Sequence, residues 1–271
     1  MRTLLKATFA RAAAATGALG RRHAGRLVVL TFHRVRPDGE PAAERPMRAL
    51  ETPASDFRRL LAWMRERCEP LALADWLARE TPPARAAFAV TFDDGWADNA
   101  AHAFPVLREL GIPATIFLAT GAVEDRTPLW WQRAGLADAD IERLKRLAPE
   151  ERAAQLAAYP PAVAAADFLT WDQVRELGRS GLVRFGAHGH GHGLLDQLPR
   201  AEALADVRRC WELLQANAPD ALLPALAWPN GNARGAAAVP GAARWNLPRN
   251  DVDRNVAQHP GLWNWLLWRA N

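Results

Sequence analysis

Short runs of apolar, β-branched or aromatic residues recur at residues 26–32, 87–92, 113–118 and 182–186, each followed by polar or glycine-containing positions. Continuous apolar runs of this length read as strands buried on both faces. A fifth candidate strand, 224–228, ends in the turn signal Pro229-Asn230-Gly231. Residues 56–67, 98–110 and 170–179 read as helices, so strand and helix alternate as in a parallel α/β fold. Thr170 and Gln173 have the spacing of a capping box, which starts the last of these helices and leaves Asp172 as a first-turn charge. Residues 134–166, rich in Ala, Glu and Arg, predict a helical insertion. Proline and glycine thicken from 230 to 260, where regular structure is least expected. There is no internal repeat and no low-complexity linker.

The position of ionisable residues relative to these strands changes the picture. His33 follows the first strand, Asp93 and Asp94 follow the second, and His188 follows the fourth. If the strands are parallel neighbours, all four groups emerge at one edge of the sheet, the carboxyl edge where α/β folds assemble sites. Adjacent aspartates repel, and keeping both ionised calls for a cation or strong hydrogen bonds. In extended backbone neighbouring side chains point apart, so one carboxylate can face an ion and the other a substrate water. The alternative for Asp93-Asp94-Gly95 is a strand-to-turn junction whose aspartates cap backbone amides. His188 and His192, with His190 between them and glycines at 186, 189, 191 and 193, offer imidazole ligands of the kind zinc prefers on a pliable backbone. One Asp and two His leave positions open for water, the arrangement of a catalytic rather than a structural site.

Length and composition set limits. With 271 residues and 49% hydrophobic content the chain can bury a substantial core. Its formal charge of +4 comes from arginines scattered among acids, not from a basic stripe interleaved with aromatics, so nucleic acid is not an expected partner. Cys68 and Cys210 lack any paired spacing and read as free thiols. At the N-terminus Arg11 interrupts a mostly Ala/Gly stretch, which predicts an amphipathic helix over residues 1–24 rather than a signal peptide. No run approaches the roughly 18 apolar residues that span a bilayer. The expected location is the cytoplasm, with peripheral membrane contact as an option and secretion disfavoured. Oligomeric state is not legible.

Thr91-Phe92-Asp93-Asp94-Gly95, the His188-x-x-x-His192 pair after Phe185-Gly186, and Ala227-Trp228-Pro229-Asn230-Gly231 together resemble the polysaccharide deacetylase family, also called the NodB-homology domain or carbohydrate esterase family 4. The opening Leu30-Thr31-Phe32-His33-Arg34-Val35 and the run Leu169-Thr170-Trp171-Asp172-Gln173-Val174 resemble the branch associated with bacterial surface-polysaccharide biosynthesis. The resemblance implies a distorted (β/α)7-type barrel over residues 25–260, with a Trp-rich tail at 261–271. It implies a divalent metal, zinc foremost, held by Asp94, His188 and His192, with Asp93 as general base. The implied substrate is an N-acetyl amino sugar of a surface polysaccharide or of its lipid-linked precursor.

The chain departs from that pattern in three places. Where many relatives carry an arginine that orients the base, this chain has Ala227; Arg249, in Leu247-Pro248-Arg249, is placed to substitute. No late Leu-x-His motif supplies a general acid, and His259 sits in the wrong context, so His33 is the candidate acid, a structural hydrogen bond at the strand end being the other reading. Only residues 233–246 separate the Pro-Asn-Gly turn from Leu-Pro-Arg, too few for the usual strand-helix unit. Trp228, Pro229, Asn230, Arg249 and Trp131 are the expected substrate contacts, although Trp130 and Trp131 read equally well as loop packing. The tail, with Trp263, Trp265 and Trp268, is expected to dock on the barrel, with a membrane or partner contact as the alternative. The competing functional reading is a catalytically impaired glycan-binding or scaffold protein that retains the metal site.

Overall fold

The computed structural model of the chain describes residues 24–40, 47–126, 128–160, 167–231, 249–264 and 266. The predicted N-terminal helix, the shortened segment 233–246, and Trp265, Leu267 and Trp268 of the tail therefore lie outside the described residues.

Nine strands are described: β1 (Leu27–Phe32), β2 (Arg34–Arg36), β3 (Glu51–Pro53), β4 (Glu69–Pro70), β5 (Ala87–Phe92), β6 (Ala114–Leu118), β7 (Val183–Ala187), β8 (Leu222–Leu226) and β9 (Arg249–Asp251). Seven form one sheet in the order β8-β7-β6-β5-β1-β9, with β4 paired to the start of β5; β2 and β3 make a separate ladder. Every pairing is parallel. The architecture is the expected distorted (β/α) barrel. The helices are α1 (Ala54–Arg67), α2 (Leu73–Ala78), α3 (Phe104–Leu110), α4 (Thr120–Glu124), α5 (Asp138–Leu144), α6 (Pro149–Leu156), α7 (Trp171–Arg179), α8 (Arg200–Asn217) and α9 (Arg254–Gln258).

The continuous burial of β1 and β5 follows from their position inside the sheet, and the alternation of side chains decides what each face packs against. Val28, Leu30 and Phe32, with Phe88, Val90 and Phe92, face the helices and share a core with Phe57, Leu60, Leu61 and Met64 of α1. Phe57 meets Phe32 edge-on at 4.9 Å and Phe92 at 5.8 Å. Each such fully buried side chain contributes about 1.5–3 kcal/mol. Leu27, Val29, Ala87, Ala89 and Phe117 occupy the opposite, inner face, where Thr31 and Thr91 share a hydrogen bond of 3.0 Å. Gly186 is required there: a Cβ on it would sit 2.6 Å from the Phe117 ring.

Some elements differ from expectation. Residues 98–110 do not form one α-helix; Asn99–Ala103 is a π-helical turn that gives way to α3. Pro105, lacking an N–H, cannot make the bond back to residue 101 that a continuous α-helix needs. β9 and α9 arise in the proline- and glycine-thickened region where regular structure was least expected, and β9 pairs Val29 with Arg249. The C-terminal residues that are described dock on the barrel. Trp263 packs against Trp63 of α1 at 5.7 Å and donates to the Val256 carbonyl, and Leu262 and Leu266 are buried.

Candidate metal and catalytic site

Register brings the chemistry together. Phe32 pairs with Phe92 and Leu118 with Ala187, so His33 and Asp93 leave neighbouring strands side by side, and His188 leaves β7, two strands beyond β5 with β6 between. The Asp93 amide donates to the Phe32 carbonyl and the His188 amide to the Leu118 carbonyl, which anchors both strand ends. Along the inner face, steps of two residues run 29, 31, 33 and 89, 91, 93, so His33 and Asp93 project into the barrel mouth.

Asp94 should point away from Asp93 in extended backbone, and here it does not. Its φ is 75°, and the Gly95 amide bonds back to the Asp93 carbonyl at 3.0 Å, a tight three-residue turn. That turn swings the Asp94 carboxylate into the same cavity, so both aspartates face His188: its Nε2 lies 3.4 Å from Asp94 Oδ1 and 3.8 Å from Asp93 Oδ2. His192 Nε2 lies 3.1 Å from Asp94 Oδ1. One ligand-capable atom from each of Asp94, His188 and His192 lies within 4.8 Å of the others, and all three residues are buried.

The donor set fits a divalent cation. The His188 Nδ1 donates to the Ala227 carbonyl at 2.8 Å, a partner that can only accept, so the neutral ring carries a lone pair on Nε2. That lone pair faces Asp94 Oδ1, which is buried without any hydrogen bond. Two acceptors turned toward each other in a buried site call for a proton or a metal between them. Burial would raise the Asp94 carboxyl, but the close imidazoles of His188 and His192 hold it well below the usual carboxylate range. For His188, burial disfavours the charge, yet Asp93 and Asp94 outweigh it and raise the imidazole above its ordinary value.

Asp93 has a different partner. Arg249 of β9 grips it with two bonds, 2.6 Å to Oδ1 and 2.9 Å to Oδ2. Burial pushes the Asp93 carboxyl up, and the Arg249 charge, followed by His188 and His33, brings it below its ordinary value. Arg249 thus meets Asp93, and its guanidinium also lies 5.7 Å from the Phe117 ring.

The loop carrying the histidines is tied down by Asp206 of α8, which accepts from the His190 amide at 2.8 Å and the Gly191 amide at 2.7 Å. Gly189 has a φ of 79°, and a Cβ there would stand 2.7 Å from Asp206 Oδ1. His190 turns away from the cluster, its Nδ1 3.1 Å from Thr120 Oγ1 and its Nε2 3.3 Å from Asp125.

Of the expected substrate contacts, Trp228 is half-buried at the end of β8, Pro229 is buried and Asn230 exposed in a turn closed by the Gly231 amide on the Trp228 carbonyl. Trp131 corrects the sugar-stacking expectation. It is 8% exposed, inside an apolar cluster with Leu129, Leu136 and Trp96, so packing under the insertion takes the ring. Sequence reasoning missed Trp96, whose Nε1 donates to Asp94 Oδ2 at 2.9 Å, and the Ala227 carbonyl. Adjacency to Asp-Asp-Gly was the only available signal for the first. Asp206 sits mid-helix and carried none.

A family model described as polysaccharide deacetylase matches residues 80–245. The Bacillus subtilis (strain 168) protein YxkH, which carries a polysaccharide-deacetylase name, is 31% identical over 74 residues, 26% of each chain. Among solved structures, the Streptococcus pyogenes deacetylase PplD in complex with acetate is similar at a TM-score of 0.54 and 19% identity, covering 76% of this chain and 74% of that one. IcaB from Ammonifex degensii is similar at a TM-score of 0.50 and 24% identity, covering 76% and 75%.

Proposed function

We propose that this chain, which belongs to the polysaccharide deacetylase family, is a divalent-metal-dependent hydrolase that removes acetyl groups from the amino sugars of a bacterial surface glycan or its lipid-linked precursor. The observation that carries the reading is the convergence of Asp94, His188 and His192 beside an Asp93 held by Arg249.

Asp94, His188 and His192 are the residues that would hold the ion, and two nitrogens with one oxygen suit zinc. A bound divalent ion supplies Lewis-acid charge that makes water nucleophilic near neutral pH and offsets negative charge developing on the acyl oxygen. Asp93 stays ionised because Arg249 compensates its burial, and it accepts the proton of the water that attacks the acetyl carbonyl. His33, on the neighbouring strand, donates a proton to the departing sugar amine, so that acetate and free amine leave. The half-buried Trp228 and the exposed Asn230 at the barrel mouth are the surface offered to the sugar.

Acetate release from oligomers of N-acetylglucosamine, with and without a chelator, tests the proposal. Asp93→Asn is expected to keep the metal and lose turnover by about 10²–10⁴-fold. His188→Ala is expected to lose both. Full activity in either variant, or in the chelator-treated chain, would contradict the reading.

A further inference from the structure

The indole of Trp96 is 2% exposed and lies where three parts of the molecule meet. Its Nε1 donates to Asp94 Oδ2 at 2.9 Å, which leaves Oδ1 as the oxygen turned toward His188 and His192. The Arg34 guanidinium lies over the ring at 4.1 Å from its centroid, and Phe168, at the end of the helical insertion, stacks on it at 4.7 Å and 23°. Arg34 is itself locked. Its Nε bonds Asp98 Oδ2 at 2.7 Å with both side chains nearly inaccessible, and Asp98 Oδ1 accepts from the Val35 amide at 3.1 Å. Asn99, the next residue, donates to the His33 carbonyl at 2.9 Å.

A buried ion pair is a weak source of net stability, because desolvation cancels most of the attraction. A phenylalanine at 96 would fill much of the same space. What the native arrangement adds is direction: one N–H aimed at one oxygen of a carboxylate that sits in a strained turn. We propose that Trp96 is a positioning residue for the metal site, selecting Asp94 Oδ1 as the ligand atom, and that the Arg34–Asp98 pair holds the indole in the orientation that does so. The inference rests on the reading of Asp94 as a ligand and deepens it. Fixing one oxygen by a donor on the other narrows the carboxylate to a single rotamer, and loss of such an outer partner typically weakens metal affinity about 10–100-fold.

The test loads the full chain with Co²⁺ and measures its affinity by chelator competition together with its visible absorption spectrum. Trp96→Phe removes the N–H and keeps an aromatic ring; it is expected to weaken Co²⁺ binding about 10–100-fold and to alter the absorption bands. Arg34→Lys keeps the charge but loses the planar stack, and is expected to weaken binding in the same direction by a smaller factor; it also reads the inference if Trp96→Phe does not fold. Trp171→Phe is the control, deleting an indole N–H that bonds Glu124 away from the cluster, and it should leave affinity unchanged. Native affinity and spectrum in Trp96→Phe, or an equal loss in Trp171→Phe, would overturn the positioning role while leaving the metal site standing. A wild-type chain that takes up no Co²⁺ would overturn both.

Discussion

Arg249 stands 156 residues after Asp93, yet two hydrogen bonds join them, and the Arg249 charge helps hold the carboxyl proposed for proton transfer below its ordinary value. The motif context marked Arg249 as a candidate substitute for the arginine missing at Ala227; β9 runs beside β1 and brings the guanidinium to Asp93. Removing its charge leaves burial to act on Asp93 unopposed by its strongest partner, so the carboxyl titrates at higher pH. Arg249→Gln is therefore expected to move the acidic limb of the kcat/KM profile to higher pH. It should also lower kcat/KM about a hundredfold through lost orientation of the base. An unshifted acidic limb, read from initial rates across the pH range, would separate Arg249 from Asp93. Asp93, Asp94 and His188 were legible because ionisable groups directly after buried strands have few structural reasons to be there, and His192 because of its spacing from His188 among glycines. The left-handed turn at Asp94 was not legible, since aspartate adopts it only under constraint, at a cost of about 1–3 kcal/mol.

Among the elements, the loop after β7 does the most to shape the site. Its two ligand candidates are held at a fixed spacing by backbone bonds to Asp206 and by the Thr120 and Gly121 amides, which donate to the Gly189 and His190 carbonyls. Gly189→Ala would place a Cβ against Asp206 in a left-handed conformation, and is expected to cost about 1–3 kcal/mol and to weaken metal uptake. Gly181→Ala is the comparison: its φ is 75° but nothing lies within 4 Å of the added atom, so only the conformational cost of about 1 kcal/mol applies. Thermal melts of both variants would check the difference, and equal losses would mean that the Asp206 contact is unimportant. The start of α7 was legible because its capping box is a local arrangement, and the structure shows both reciprocal bonds. β9 was not, because three residues acquire strand geometry only from pairing with β1.

Across the whole molecule, the inner and outer faces of the strands separate two tasks. The outer face joins the helices in the main core, while the inner face carries a second apolar cluster low in the barrel and ionisable residues at its mouth. The alternation of strand and helix made this architecture readable, whereas the path through residues 232–248 lies outside the described residues. The charges at the mouth also set how the metal-free protein responds to pH. His188 is raised in the folded state, so its contribution is complete below its unfolded value of about 6.5 and is lost as pH rises through the higher folded value. Asp93 and Asp94 are lowered, so theirs is complete above about pH 4 and is lost as pH falls through the folded values. In chelator, Tm should therefore fall over the interval above about pH 6.5, where the raised imidazole gives up its proton. Saturating zinc should oppose that fall, because binding needs unprotonated imidazoles. A chelated Tm that rises over the same interval would contradict the charge assignment.

The most direct measurement is anomalous diffraction at the zinc edge from crystals of the zinc-loaded chain. The account predicts one peak about 2.0–2.2 Å from His188 Nε2, His192 Nε2 and Asp94 Oδ1, with Asp93 still bonded to Arg249 and outside the coordination sphere. Zinc bound elsewhere, or density that leaves those three atoms facing one another with nothing between them, would contradict it.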